Sequence, residues 1–340
     1  LSLFILATSS LWIRGYVTIL SGGQESTSDV AEIYLTLRMI SIPAIMINSV
    51  LATAYRALNN PWPPNYYAIS SAVVSVVLIP SMALGYFGLP PQGVVGMGFA
   101  SAISQYIGFL AYVFFKPPVR IGFYGFSKNL LKVLGVGVPA FLERFISSVG
   151  QNIYINAVAR SGVHALAAHN IGVSIEGLVI NPVFAISIAA SARVGFHIGA
   201  SNARDIDSLA RESVRIGVLW MSIATIILLA ISPFVGRLFA PSPEISDLVM
   251  FYLIFAALSE IGFGGSLGLY GVIRGMGSTW IPLIINSFTV IFLRALLAQS
   301  LQPIFSVYGV WFTQITDMYS RFLIAYIIYT RYKNRLVIKI

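Results

Sequence analysis

The stretch RGMGSTWIP, residues 274–282, lies between two long apolar segments and has a counterpart far upstream, RALNNPWPP at residues 56–64. Arg56, Trp62 and Pro64 stand at the same spacing as Arg274, Trp280 and Pro282, an offset of 274 − 56 = 218 residues. At that offset nine of the 37 positions over 28–64 are identical, among them Ser28/Ser246, Asp29/Asp247, Tyr34/Tyr252 and Leu35/Leu253. Chance matching of apolar sequence supplies aliphatic identities, but not Asp, Tyr, Arg, Trp and Pro in one register. Past a shorter loop the offset falls to 213, where Gly96/Gly309, Phe99/Phe312, Tyr106/Tyr319 and Phe109/Phe322 pair. Residues near 30–116 and 246–331 therefore read as two copies of one three-helix unit.

What kind of helix these are follows from composition. Of the 340 residues, 57% are hydrophobic and only 10% charged, against about 25% charged in a soluble domain. Mean hydropathy is +0.83. Ala57 to Phe115 contains no Asp, Glu, Lys or Arg, and Ile216–Gly236 is another uncharged run; about 20 such residues cross a hydrocarbon core as helix. The chain reads as an all-α polytopic membrane protein. Breaks at NNPWPP, LPPQG, KPP, APSP and LQP give about ten helices, near 1–20, 30–55, 64–86, 95–116, 128–159, 164–191, 208–234, 246–272, 280–299 and 306–331.

The net charge of +9 sits in clusters: Lys116, Arg120, Lys128 and Lys132; Arg193, Arg204, Arg211 and Arg215; Arg331, Lys333, Arg335 and Lys339. These fall at alternate loops, the pattern of cations held on the cytoplasmic side. They predict a cytoplasmic C-terminus and give no reason to invoke nucleic acid. Both repeat copies then share one membrane orientation, a parallel rather than an inverted duplication. No cysteine is present, and His164, His169 and His197 show no metal-ligand spacing. Nor does any nucleophile–base constellation suggest an enzyme.

Residues 1–20 align with 219–238 at the 218 offset, as the last helix of a first set of companion helices. This predicts about ninety further residues upstream and a protein of twelve helices in two six-helix lobes. The expected boundaries are 1–116 for a partial N-terminal lobe, 117–127 for a cytoplasmic linker and 128–340 for the C-terminal lobe.

A charge inside a bilayer costs a few kcal/mol or more and is a functional candidate by default. Four acids fall within the spans: Glu143, Glu176, Glu260 and Asp317. Repeat counterparts are neutral, Ile42 for Glu260 and Ser104 for Asp317, so any site belongs to one copy of a shared scaffold. Each acid also has a structural reading. Glu143 could serve an interhelix salt bridge, Asp317 could lock to Arg321 one turn on, and Glu176 could pair with His169, seven residues earlier on nearly the same face. Glu260 precedes a glycine run that lets backbones approach closely. Pro43, Pro80 and Pro182 interrupt apolar spans as static kinks or as hinges.

Taken together, several stretches resemble the MATE (multidrug and toxic compound extrusion) family. They are GVPAFLERFISSVGQNIYINAVARSGVHALAAHNIG, SIEGLVINP and ASARVGFHIGASNARD in the middle, VIRGMGSTWIP with Arg294, YGVWFTQITDMYSRF, and YRALNNPWPP as the first-lobe version. Glu143 and the AAHNIG…E…NP pattern are similar to the prokaryotic DinF-like branch. The resemblance implies two six-helix lobes forming a V, with a central cavity exporting organic, often cationic, drugs against H⁺ or Na⁺ and no cofactor. It further implies a monomer in the plasma membrane of a prokaryote. Glu143 and Glu260 fall in the acid regions of the family's helices seven and ten. The family's helix-five Asn and Asp are replaced by Ser75 and Ile79 in SVVLIP, and the first-helix Asp would lie upstream, so either the second lobe couples transport or this member is divergent. Two other readings stand beside efflux: a lipid-linked oligosaccharide flippase of related fold, which would want a cationic cavity, and a non-transporting membrane scaffold.

Overall fold

A computed structural model describes residues 8, 13–15, 25–58, 60–115, 128–200 and 205–336. Most of the helix expected near 1–20, the linker 117–127 and the last four residues lie outside these. Two compact units divide the chain, Leu1–Phe123 and Tyr124–Ile340. The first contains α1 (Glu25–Met39), α2 (Ile42–Ala57), α3 (Trp62–Leu84) and α4 (Gly93–Leu110). The second contains α5 (Lys128–Arg160), α6 (Val163–Gly199), α7 (Ile206–Phe239), α8 (Pro243–Gly275), α9 (Trp280–Phe288) and α10 (Leu297–Leu336), with a π-helical stretch, Thr289–Leu296, joining the last two. No strand occurs among the described residues.

Among the described residues, seven helical stretches are long and apolar enough to cross a membrane, or eight if the bent α1–α2 pair is one span. Large apolar side chains such as Val76 and Ile226 stand exposed along them, as a lipid-facing surface requires and a water-facing one would not tolerate in such number. Trp280–Arg331 counts as one stretch of 52 residues, yet at 1.5 Å per residue that is far longer than the roughly 30 Å core. Ser306 resolves this: its φ of 53° and ψ of −146° break the run, dividing it close to the boundary read from LQP. The single helix expected over 30–55 is instead two, bent by 47° between Met39 and Ile42. Pro43, at the start of α2, supplies the reason, because it has no N–H to donate and its ring collides with the preceding turn.

The duplication is visible in bonding as well as in letters. Tyr106 Oη donates to the Ile40 carbonyl at 2.9 Å, and Tyr319 Oη donates to the Leu258 carbonyl at 3.0 Å. Donors 213 apart thus meet acceptors 218 apart, the two offsets of the repeat. Ser41 Oγ likewise donates to Arg38 O at 2.6 Å, and Ser259 Oγ to Ala256 O at 2.8 Å. Arg56 and Arg274 close α2 and α8, and Trp62 and Trp280 open the next helices, with Pro64 and Pro282 in their first turns.

Within the second unit α8 is central, with α6, α7 and α10 packed on it. Its start is well specified: Ser242 caps the helix by accepting from the Ile245 N–H at 3.4 Å, Pro243 follows, and Glu244 occupies the first turn. Its glycines admit neighbouring backbones. A Cβ on Gly264 would stand 2.3 Å from the Gly217 carbonyl oxygen of α7, and one on Gly271 would stand 2.3 Å from that of Ser187 on α6. Close approach of three helices around α8 leaves the polar side chains no route to lipid, so they face inward.

Candidate functional site

A cavity of about 310 Å³ opens inside the second unit, among α5, α6, α8, the α9 region and α10. Glu143, His169 and Glu176 line it, as do Arg144, Arg274, Arg294 and Arg321. Two of the four sequence-predicted acids thus reach the cavity directly. Asp317 and Glu260 are fully buried behind it, each at 0% exposure.

Glu143 is paired, though not with Arg144, its neighbour in sequence. Arg274 Nη2 donates to Glu143 Oε1 at 2.6 Å from the end of α8, and the Asn286 amide donates to the same oxygen. Tyr270 Oη donates in turn to Asn286 Oδ1 at 3.2 Å, while the Arg274 guanidinium lies 5.6 Å from the Tyr270 ring centroid. The arginine of the repeated RGMGSTWIP motif therefore does more than mark an inner turn: its side chain bends back to neutralise an intramembrane acid. Asp317 is locked more tightly. Arg321 Nη2 donates to both its oxygens, at 2.8 and 2.7 Å, and Arg294 Nε stands 3.7 Å away. The one-turn Asp317–Arg321 pairing anticipated from spacing is present.

Glu176 holds neutral partners. The Tyr252 hydroxyl donates to its Oε2, and Gln314 Nε2 donates to its Oε1 at 2.7 Å. Glu260 lies against Glu176, within hydrogen-bonding reach of its carboxyl, and no other group among the described residues hydrogen-bonds either Glu260 oxygen. His169 does not bond Glu176. It sits edge-on between Tyr154 and Tyr252, with centroids at 5.7 and 5.0 Å, and its Nδ1 is unpartnered. Side chains from five helical segments thus converge here, with the π-helical turn carrying Arg294 over the Tyr154 ring at 5.2 Å. Such a turn rotates side chains away from the α-helical register and is common at functional sites.

Of the remaining candidates, Pro80 lies inside α3 and Pro182 inside α6, both in continuous helix, whereas Pro43 starts one. Sequence reasoning passed over Gln314, Asn286, Tyr154 and Arg144. It did carry one signal for Tyr252, whose identity with Tyr34 is part of the repeat.

A multi-pass bundle containing two copies of one helical unit, with buried charges converging on a cavity in its second compact unit, is an arrangement found in membrane transporters. The MatE family model matches residues 139–299, which span most of that cavity. "Probable multidrug resistance protein NorM" of Thermotoga maritima is 27% identical over 311 residues, 89% of this chain and 66% of that protein. Among solved structures, a mutant of the Vibrio cholerae MATE transporter VcmN has a TM-score of 0.85 at 15% identity, covering 99% of this chain and 76% of that one. A MOP superfamily transporter from Pyrococcus furiosus, described as having a binding pocket of reverse polarity, has a TM-score of 0.86 at 18% identity over 98% of this chain and 75% of that one. The match over residues 139–299 and the 27% identity to NorM relate the chain to the MATE family, and the solved MATE structures share its fold. The chain spans just under two thirds of the length of the NorM protein it matches.

Proposed function

We propose that this chain is part of a secondary active exporter of organic compounds, working by alternating access between two lobes in a prokaryotic plasma membrane. The observation that carries the reading is the Glu176–Glu260 pair. Neither acid accepts a hydrogen bond from an arginine among the described residues, which leaves this pair of intramembrane carboxyls as the place for a proton or a cation. A positively charged substrate at the cavity wall competes with that proton, which couples efflux of organic cations to proton entry; Na⁺ would compete in the same way. The name of the Thermotoga relative, a multidrug resistance protein, supports an export role, and its partial coverage leaves the whole protein's activity as part of the proposal. Glu143 and Asp317, each held by arginine, act in this scheme as fixed ties between helices. Pro43, Pro80 and Pro182 are proposed as the points where helices bend as the lobes exchange positions.

Proton-driven ethidium uptake into inverted membrane vesicles, the equivalent of efflux from the cell, tests it. Glu260→Gln and Glu176→Gln are each expected to abolish pH-gradient-driven transport while the protein still reaches the membrane. Undiminished efflux in both variants would sink the assignment.

A second reading has one observation in its favour. Four arginines line the cavity against two acids, a balance suited to a headgroup that carries phosphate, as a lipid-linked oligosaccharide flippase would require.

A further inference from the structure

We propose that the cavity holds a guanidinium subsite, centred on Arg144, for an acidic group of the transported molecule: a carboxylate, sulfonate or phosphate. The inference rests on the reading of this cavity as the cargo site and adds a chemical requirement to it. Arg144 is 16 residues from either end of α5 (144 − 128 = 160 − 144 = 16), about 24 Å of helix in each direction. That places it at the middle of α5, well inside the apolar stretch Leu131–Arg160.

Its environment differs from that of every other arginine in the cavity. Arg274 has Glu143, and Arg294 and Arg321 share Asp317. Arg144 is exposed on the cavity wall, and its one contact among the described residues is the Phe184 ring, 5.9 Å from the guanidinium. Adjacent Glu143 is no substitute, since successive helix residues point apart and Arg274 and Asn286 both claim its Oε1.

An ionised guanidinium cannot shed its proton to escape the cost of burial. Inside that apolar stretch it is stable against water in the cavity or against an anion, and an anion gains the stronger, two-pronged hydrogen bond. A second observation points the same way. Arg321, at 6% exposure, also lines the cavity and keeps an unpartnered, buried Nε although Asp317 occupies its other face. Two guanidiniums are thus balanced by the single carboxylate of Asp317, and a third by none. Glu176 lines the same cavity from α6, so Arg144 adds a positive pole to a lining that also carries a carboxyl.

The test is binding rather than transport, so that it stands or falls apart from the export reading. Purified protein in lipid-free detergent is titrated with carboxyfluorescein, followed by fluorescence anisotropy, and separately with ethidium. Arg144→Gln is expected to weaken carboxyfluorescein binding about tenfold or more, the scale of a lost charge-assisted hydrogen bond. Ethidium binding should be unchanged, and Arg144→Lys should recover part of the loss. Because Arg144 holds no other charged side chain, the variant is expected to keep the parent's melting temperature. A parallel titration with phosphatidylglycerol identifies the source of the acidic group: Arg144-dependent displacement of the dye by the lipid would assign the subsite to a lipid phosphate. Equal affinity of parent and Arg144→Gln for both anions would overturn the subsite. Anion binding without transport would instead preserve it and remove the export reading.

Discussion

At the scale of single residues, the cavity is organised by which acids are paired and which are not. Glu143 and Asp317 accept from arginines, Glu176 accepts from the neutral Tyr252 and Gln314, and Glu260 has only the Glu176 carboxyl beside it among the described residues. Partly buried ion pairs are poor sources of net stability, yet removing one partner is costly because the other is stranded. Glu143→Gln and Arg274→Gln should therefore each lower thermal stability in detergent, by about 2 kcal/mol, while the double variant loses less than the sum. Additive losses in that cycle would mean the 2.6 Å contact carries no coupling. The sequence showed the four acids as anomalies, since a charge within an apolar run is conspicuous by itself. Pairing was legible only where it was local: Asp317 and Arg321 are one turn apart, whereas Glu143 and Arg274 are separated by 131 residues. Their meeting depends on how α5 and α8 are rotated about their axes, which no spacing within either helix specifies.

Among the elements, α8 shows how small residues create a site for large charges. Its glycine face accepts α6 and α7 at backbone distance, which turns Glu260 and Arg274 inward. Gly271→Ala puts a methyl 2.3 Å from the Ser187 carbonyl oxygen, a backbone atom that can yield only if the helix moves. A loss of about 1–3 kcal/mol, typical of overpacking, is expected in thermal melts. Gly177→Ala on α6 is the matched control, because a Cβ there meets nothing within 4 Å. It should stabilise by up to about 1 kcal/mol through helix propensity alone. Equal shifts in the two variants would show that the close approach is not what orders α8. Helix starts were readable to within about five residues because prolines and glycines punctuate uncharged runs, but α6 continues to Gly199, eight residues past its expected end at 191, through the polar stretch read as a loop. Two features were not readable: the bend at Pro43, placed inside a span by hydropathy although the helix restarts there, and the π-helical stretch 289–296. Both replace α-helical hydrogen bonds without altering composition, so an apolarity profile does not register them.

At the scale of the whole molecule, the repeat links sequence to architecture. A single offset, read first from Arg, Trp and Pro, reappears as a matched pair of tyrosine hydrogen bonds in two separate units. Duplication explains the shared scaffold, and divergence explains why Glu260 and Asp317 face Ile42 and Ser104 in the other copy. It also makes orientation testable, because parallel copies demand that equivalent ends lie on one side of the membrane. The charge pattern assigns the α5–α6 turn to the outside and the end of α6 to the cytoplasm. With 37 residues, α6 is about 55 Å long at 1.5 Å per residue, so both ends extend past the roughly 30 Å core. The chain contains no cysteine, and single cysteines can therefore be read without background. Val163→Cys, at the exposed start of α6, should react with a membrane-impermeant maleimide in intact cells. Ala200→Cys, exposed just past its end, should react only after permeabilisation. The opposite pattern would invert the assignment of every loop, and with it the side from which the proton proposed for Glu176 and Glu260 would enter.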